Sequence, residues 1–442
     1  MTHLKKNLYA SLIALMISVQ VFANSGQITF SEFTLENGLH VILHEDNSTP
    51  IVTVAVMYKV GSKNEQPNRT GFAHFFEHLM FEGTKNIPRG EYAKFVERAG
   101  GTLNANTSAD RTYYYETLPS NQLELGLWLE SERMLHATVD SIGIATQKKV
   151  VIEEKKQNYD NRPYGSILIE TLKRAFKEHP YRWTTIGDPE HIMAAKDEEF
   201  EAFYNTYYVP NNAVLVVAGD INKEQTKLLV EKYYAEIPAG NKEIYRPDIV
   251  EPPLTSEIRD TIFDNIQIPL VLQAYRTPAM NTHDYFAIDM LGTLLSGGQS
   301  SRLYRELVDN QQLALQVSSF PVPFNEPAIN LIFALTNMGV DPQELESAID
   351  AEIEKIKNEL IPEKEFQKLK NQYESKIISS NYKIAQRAHN LATAYTYFGD
   401  ASFINIKLDQ YMSVTREDIQ RVAKQYFNSD NRVVLYYLPK QN

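Results

Sequence analysis

The sequence predicts an α+β protein built of two similar halves, and three observations carry that prediction. From residue 28 onward, alternating or wholly apolar strand-like runs are interleaved with segments of helical periodicity. A cluster of Pro238, Gly240, Pro247, Pro252 and Pro253 then divides the chain near its middle. A short pattern also recurs on either side of that cluster. Tyr207-Tyr208-Val209-Pro210-Asn211-Asn212 before Val214-Leu215-Val216 is echoed by Tyr426-Phe427-Asn428-Ser429-Asp430-Asn431 before Val433-Val434-Leu435. The expected organisation is a targeting segment over 1–23, a first α+β domain over 24–237, a linker over 238–255 and a related domain over 256–442. A chain of 442 residues needs more than one core.

Taken in order, Lys5 and Lys6 followed by the apolar run Leu8–Ala23 read as a signal peptide, too short for a comfortable membrane span. Ile28–Val60 reads as strand, turn, strand, strand, with Asn37-Gly38 as the hairpin signal. Gly61–Arg69 is polar and reads as a loop leading into a helix within Gly71–Lys85. Gly90–Ala99 is a short helix, and Gly100-Gly101 turns the chain into two alternating strands, TLNANTSADRTYYYETLP. Helices are expected over Asn121–Leu135, Thr146–Asp160 and up to Tyr208. Asn211–Ala218 is a central strand, and Lys223–Tyr234 a further helix.

Composition narrows the function. Apolar content of 43% with 23% charged residues is that of a globular protein, and a net charge of −12 argues against nucleic acid. The chain has no cysteine, so disulfides and thiolate metal ligands are both excluded.

The chemistry concentrates in GFAHFFEHLMFEGTK, at His74-x-x-Glu77-His78. Four residues apart on a helix, two imidazoles lie within reach of one metal ion. Glu77 precedes the second histidine, which inverts the order of the commoner zinc-protease motif. Phe72, Phe75, Phe76, Leu79, Met80 and Phe81 surround these residues, so the helix should be buried and its polar groups should need partners. Catalytic zinc commonly takes three protein ligands. Without cysteine the third must be His, Asp or Glu, and VVIEEKK offers Glu153 and Glu154.

These stretches, in this order, resemble the pitrilysin/insulinase family of zinc metallopeptidases, in its short two-domain form akin to mitochondrial processing peptidase. The resemblance rests on HFFEH, the glycine pair with Leu103-Asn104-Ala105-x-Thr107, VVIEE, HPYRWTTIG and YYVPNNAVLVVAGD, and it spans nearly the whole chain after the leader. It implies two α+β halves, each a mixed, mostly antiparallel sheet with helices, forming half of a clam-shell chamber. It further implies one Zn2+ held by His74, His78 and the more distant glutamate, aligned as Glu154, with Glu77 as general base. Asn104 and Ala105 match the edge strand on which such enzymes lay an extended peptide.

Two departures from the family pattern shape the expectations. A glutamate often found seven residues before the distal ligand is Gln147 here. The Arg and Tyr that clamp the substrate carbonyl fall on Val308 and Leu315. The resemblance therefore implies a zinc endopeptidase subunit of peptide substrates, completed by a related second chain that carries the Arg/Tyr pair, with a homodimer as the other pairing. In the second half Ile288, Leu291 and Gly292 stand where the first has His74, Glu77 and His78, so that half is expected to be non-catalytic. Export to the periplasm is the expected location. A peptide-binding or assembly subunit of the same fold is the rival reading.

Overall fold

A computed structural model describes residues 27–440. The signal-peptide segment lies outside the described residues. Among the described residues, no helix is long and apolar enough to cross a membrane.

The first half forms a six-stranded sheet from β1 (Ser31–Thr34), β2 (His40–Glu45), β3 (Ile51–Tyr58), β4 (Thr102–Thr107), β5 (Thr112–Pro119) and β6 (Ala213–Gly219), in the order β1-β2-β6-β3-β5-β4. Gly38, at φ +86°, turns the β1–β2 hairpin where Asn37-Gly38 placed it. The second half repeats the arrangement with β7 (Ile258–Asp264), β8 (Leu270–Thr277), β9 (Ala314–Val322), β10 (Ala328–Thr336) and β11 (Arg432–Pro439), in the order β7-β11-β8-β10-β9. In each sheet the last strand of its half enters between earlier ones and makes one parallel pairing, β2 with β6 and β7 with β11. The other pairings are antiparallel. The two halves are thus similar α+β units.

Strands β6 and β8 are buried along their whole length, which is why they read as unbroken apolar runs. One face of the first sheet packs on its own helices, through Val54, Val56, Leu127, Phe200 and Val230 among others. Its other face, with Ile42, Ala55, Met57, Val214 and Val216, is covered by Ile384, Ala388 and Leu391 of helix Ile384–Phe398, which belongs to the second half. The exchange is mutual. Helix Ile167–Ala175 and the residues after it, through Leu172, Ala175, Phe176 and Tyr181, cover Leu272, Ala274, Leu331 and Leu435 of the second sheet.

The halves therefore share two cores, and the proline-rich stretch does not hang free. Glu251 accepts hydrogen bonds from the N–H groups of Lys177, Glu178 and His179 and pairs with Arg276 at 2.8 Å. A buried polar group adds a further tie. Lys63 lies 2.9 Å from both Asp110 and Glu326, Glu326 lies 2.6 Å from the fully buried His179, and Tyr181 donates to Asp110 at 2.6 Å.

Two expectations need correction. Ser62–Asn64 of the expected polar loop form a 3-10 turn, and with Glu65 they are buried. The helix expected over Thr146–Asp160 runs instead from Ser141 to Lys155, because Asp140 caps it by accepting from Gly143 N–H at 2.7 Å. A π-turn over Lys156–Asp160 follows it.

Candidate metal centre

Helix Phe72–Leu79 presents the histidine pair. Eight residues do not hold a helix by themselves, so packing and capping must. Phe72 stacks on Phe200 at 4.7 Å between centroids, and Phe76 on Phe203 at 5.2 Å. Gly71 starts the helix at φ +94°, and a Cβ there would stand 2.9 Å from the carbonyl oxygen of Ile186. Glu65 closes the first turn. Its two carboxyl oxygens accept from Gly71 N–H and Ala73 N–H, each at 2.8 Å.

The apolar residues of this helix are buried, but His74, Glu77 and His78 share a half-open face. The enclosure expected from so many neighbouring phenylalanines is therefore incomplete on one side. That side meets helix Ser141–Lys155. Glu154 Oε2 lies 3.6 Å from His74 Nε2 and 3.2 Å from His78 Nε2, while the two Nε2 atoms are 3.3 Å apart. Among the described residues these three form the one cluster able to hold a metal ion. Glu153 points elsewhere, accepting from Gln157 at 3.1 Å and facing Lys156.

The donor set fits a divalent cation. A tetrahedral zinc site with bonds of about 2.0–2.1 Å has ligand–ligand edges of about 3.3–3.4 Å. The triangle of donor atoms found here already has that size. Glu154 Oε2 is buried without a well-formed hydrogen bond, a cost that a cation would offset. Burial lowers the pKa of His74, favouring the neutral imidazole that ligation requires. Contact with His78, above all, lowers that of Glu154 and favours its carboxylate.

Glu77 stands outside the triangle on the same helix. Its Oε2 accepts a 2.6 Å hydrogen bond from Thr107 Oγ1, at the end of β4. Asn104 and Ala105 lie earlier on β4, which is the edge of the first sheet. Asn104 Oδ1 accepts from Ala105 N–H at 2.8 Å, and the Asn104 residue is exposed. Gln147, two turns before Glu154, donates to Glu82 at 2.5 Å. Val308 lies in a π-turn over Tyr304–Asn310, and Leu315 is half exposed on β9. Sequence reasoning missed Glu65 and gave Thr107 no role. Neither residue type announces such a contact at a fixed spacing.

Residues 40–188 match the family model described as insulinase (peptidase family M16), and residues 195–373 match the one described as peptidase M16 inactive domain. Zinc protease PqqE of Helicobacter pylori is 30% identical over 433 residues, covering 97% of each chain. Uncharacterized zinc protease YmxG of Bacillus subtilis is 24% identical, over 91% of this chain and 97% of that one. Among solved structures, a protease from Helicobacter pylori superposes with a TM-score of 0.89 at 31% identity, over 93% of this chain and 100% of the other. The periplasmic protease PqqL from Escherichia coli shares the fold, with a TM-score of 0.76 at 17% identity, over 93% of this chain but 48% of that one.

Proposed function

Because this chain belongs to the insulinase family of peptidases (peptidase family M16), we propose that it is a zinc-dependent endopeptidase subunit that hydrolyses peptides with Glu77 as general base. The observation that carries the reading is the triangle of His74 Nε2, His78 Nε2 and Glu154 Oε2, with edges of 3.2–3.6 Å and Glu77 on the same helix face. Those three residues would hold the ion. Bound there, zinc supplies Lewis acidity that polarises a peptide carbonyl and makes water acidic near neutral pH.

The remaining work falls to the chain. Glu77 takes the proton of the attacking water as that water adds to the carbonyl carbon. It then delivers the proton to the leaving amine as the C–N bond breaks. The Thr107 hydroxyl, bonded to one oxygen of Glu77, orients the carboxylate and leaves its second oxygen for the proton. β4 pairs with β5 on one side alone, so its outer edge can accept an extended peptide beside Asn104 and Ala105.

The proposal extends to a partner and a location. Val308 and Leu315 carry no groups that could clamp a substrate carbonyl, so a related second chain bearing an Arg and a Tyr is proposed to complete the site. The solved chain of PqqL is about twice the length matched here, and its first half alone matches 94% of this chain. The apolar run after Lys5 and Lys6 supports export to the periplasm.

The test is peptide cleavage and zinc content on the wild-type chain and on Glu77→Gln, each alone and mixed with a candidate partner. The wild type should bind zinc, cleave slowly alone and cleave faster with the partner. Glu77→Gln should keep its zinc and lose turnover by a factor of about 10²–10⁴. Unchanged turnover in Glu77→Gln would remove Glu77 from the mechanism. Full activity of the lone chain would remove the partner.

A further inference from the structure

The second half leaves part of its sheet uncovered. Phe320 on β9 pairs directly with Leu331 on β10, so it shares the face on which helix Ile167–Ala175 lies. Yet Phe320 is 43% exposed, with Phe333 6.1 Å away as its ring neighbour.

Opposite Phe320 runs the segment that follows Glu154. It opens with the π-turn Lys156–Asp160, a wide turn frequent at functional sites. Asn158, in that turn and four residues after Glu154, lines the near end of the groove. Tyr164 follows at φ +59°, a left-handed conformation that is strained for a bulky residue. Two ties to the second half hold it there: its N–H donates to Asp264 Oδ2 at 3.0 Å and its hydroxyl to the Ile268 carbonyl at 2.6 Å. Between these walls is an open groove of about 830 Å³, lined by Tyr159, Tyr164, Phe320, Val322 and Leu331, with Arg162 as its one charged lining residue.

An exposed phenyl ring on a sheet face gains little from burial, and the left-handed backbone of Tyr164 is strained even though its contacts tie the two halves. Both border an open apolar surface whose near end, at Asn158, lies four residues after Glu154. We infer that this groove is a subsite for a large apolar side chain of the bound peptide, two to four residues from the cut bond. The inference rests on the peptidase reading above. The distance is set by the chain: the groove begins at Asn158, one wide turn beyond Glu154, and an extended peptide advances about 3.3 Å per residue. Arg162 gives the groove its exclusion, since a lysine or arginine at that peptide position meets a like charge.

The experiment compares the wild type with Phe320→Asp in two arms. In the first, a mixed peptide pool is digested and the cut sites are read by mass spectrometry. The wild type should show Phe, Tyr or Leu enriched, and Lys and Arg depleted, at one fixed position two to four residues from the cut. In Phe320→Asp that enrichment should fall about tenfold, with zinc content unchanged. In the second arm, Glu77→Gln, with and without Phe320→Asp, is titrated with a fluorescent ten-residue peptide carrying Phe, Gly or Lys at that position. The Phe peptide should bind about tenfold more weakly to the double variant, and the Gly peptide equally to both.

Cut-site preference or Phe-peptide affinity unaffected by Phe320→Asp would overturn the subsite while leaving the peptidase reading in place. Absence of cleavage by the wild type, alone and with its partner, would count against the peptidase reading. The binding arm would still decide whether the groove takes an apolar side chain.

Discussion

Replacing Glu65 with alanine is predicted to damage the metal centre from a distance. Glu65 coordinates nothing, but its carboxyl group is fully buried and accepts from Gly71 N–H and Ala73 N–H, each at 2.8 Å. Removing it leaves two buried donors without partners, at about 1–3 kcal/mol each. The expected loss is therefore about 2–6 kcal/mol. Unfolding entropy of about 2 cal/mol/K per residue makes 1 kcal/mol worth about 1 °C in a chain of this size, so Tm should fall by about 2–6 °C. His74 is the third residue of the eight-residue helix that Glu65 caps. Fraying of that first turn displaces His74 more than His78 and opens the donor triangle. Zinc affinity, measured by competition with a chelator, should fall about 10- to 100-fold, the range typical when a support behind a ligand is lost. Glu65→Gln keeps one acceptor oxygen and should fall between the two. Wild-type zinc affinity in Glu65→Ala would refute the link between cap and site, even if Tm dropped as expected.

Two further outcomes follow from the geometry. Thr107→Val removes the 2.6 Å hydrogen bond to Glu77; peptide turnover should fall about tenfold or more with zinc content unchanged, and Thr107→Ser should restore it, whereas equal loss in both variants would mean that the hydroxyl is not what matters. Burial brings the His389 imidazole, on the helix that covers the first sheet, from 6.5 down to about 4. The unfolded chain then binds the proton more readily than the folded one, so stability is complete above about pH 6.5 and is lost as pH falls toward 4, by up to about 3 kcal/mol. Urea unfolding across that range should show the decline, and His389→Phe should flatten it; an unchanged pH profile in the variant would exclude His389 as its source.

What the sequence disclosed, and what it withheld, divides along local and long-range lines. The Asn37-Gly38 turn, the buried run of β6 and the four-residue spacing of His74 and His78 are local patterns, and each stands in the structure where its neighbours placed it. The choice between Glu153 and Glu154 could not be made from spacing, because adjacent helical residues differ by about 100° and the axis direction is not in the sequence. Helices Ile167–Ala175 and Ile384–Phe398 have apolar faces whose existence was legible. That each face covers the sheet of the other half was not, since periodicity shows that a face is buried without showing against what. Polarity did not reveal that Ser62–Glu65 are buried, because their burial rests on distant pairing: Lys63 with Asp110 and Glu326, and Glu65 with the start of the metal helix. Thr107 was visible as part of a motif, but its contact with Glu77 depends on how β4 lies across that helix.

The central claim is that two imidazoles on one helix and a carboxylate on another grip a single cation. Zinc bound per chain, measured after exhaustive dialysis against a trace of free zinc, tests it most directly in the wild type and in Glu154→Ala. The account predicts one equivalent in the wild type and, with one of three ligands gone, well under half an equivalent in the variant, while the circular dichroism of the two stays alike. A full equivalent retained by a folded Glu154→Ala would contradict it.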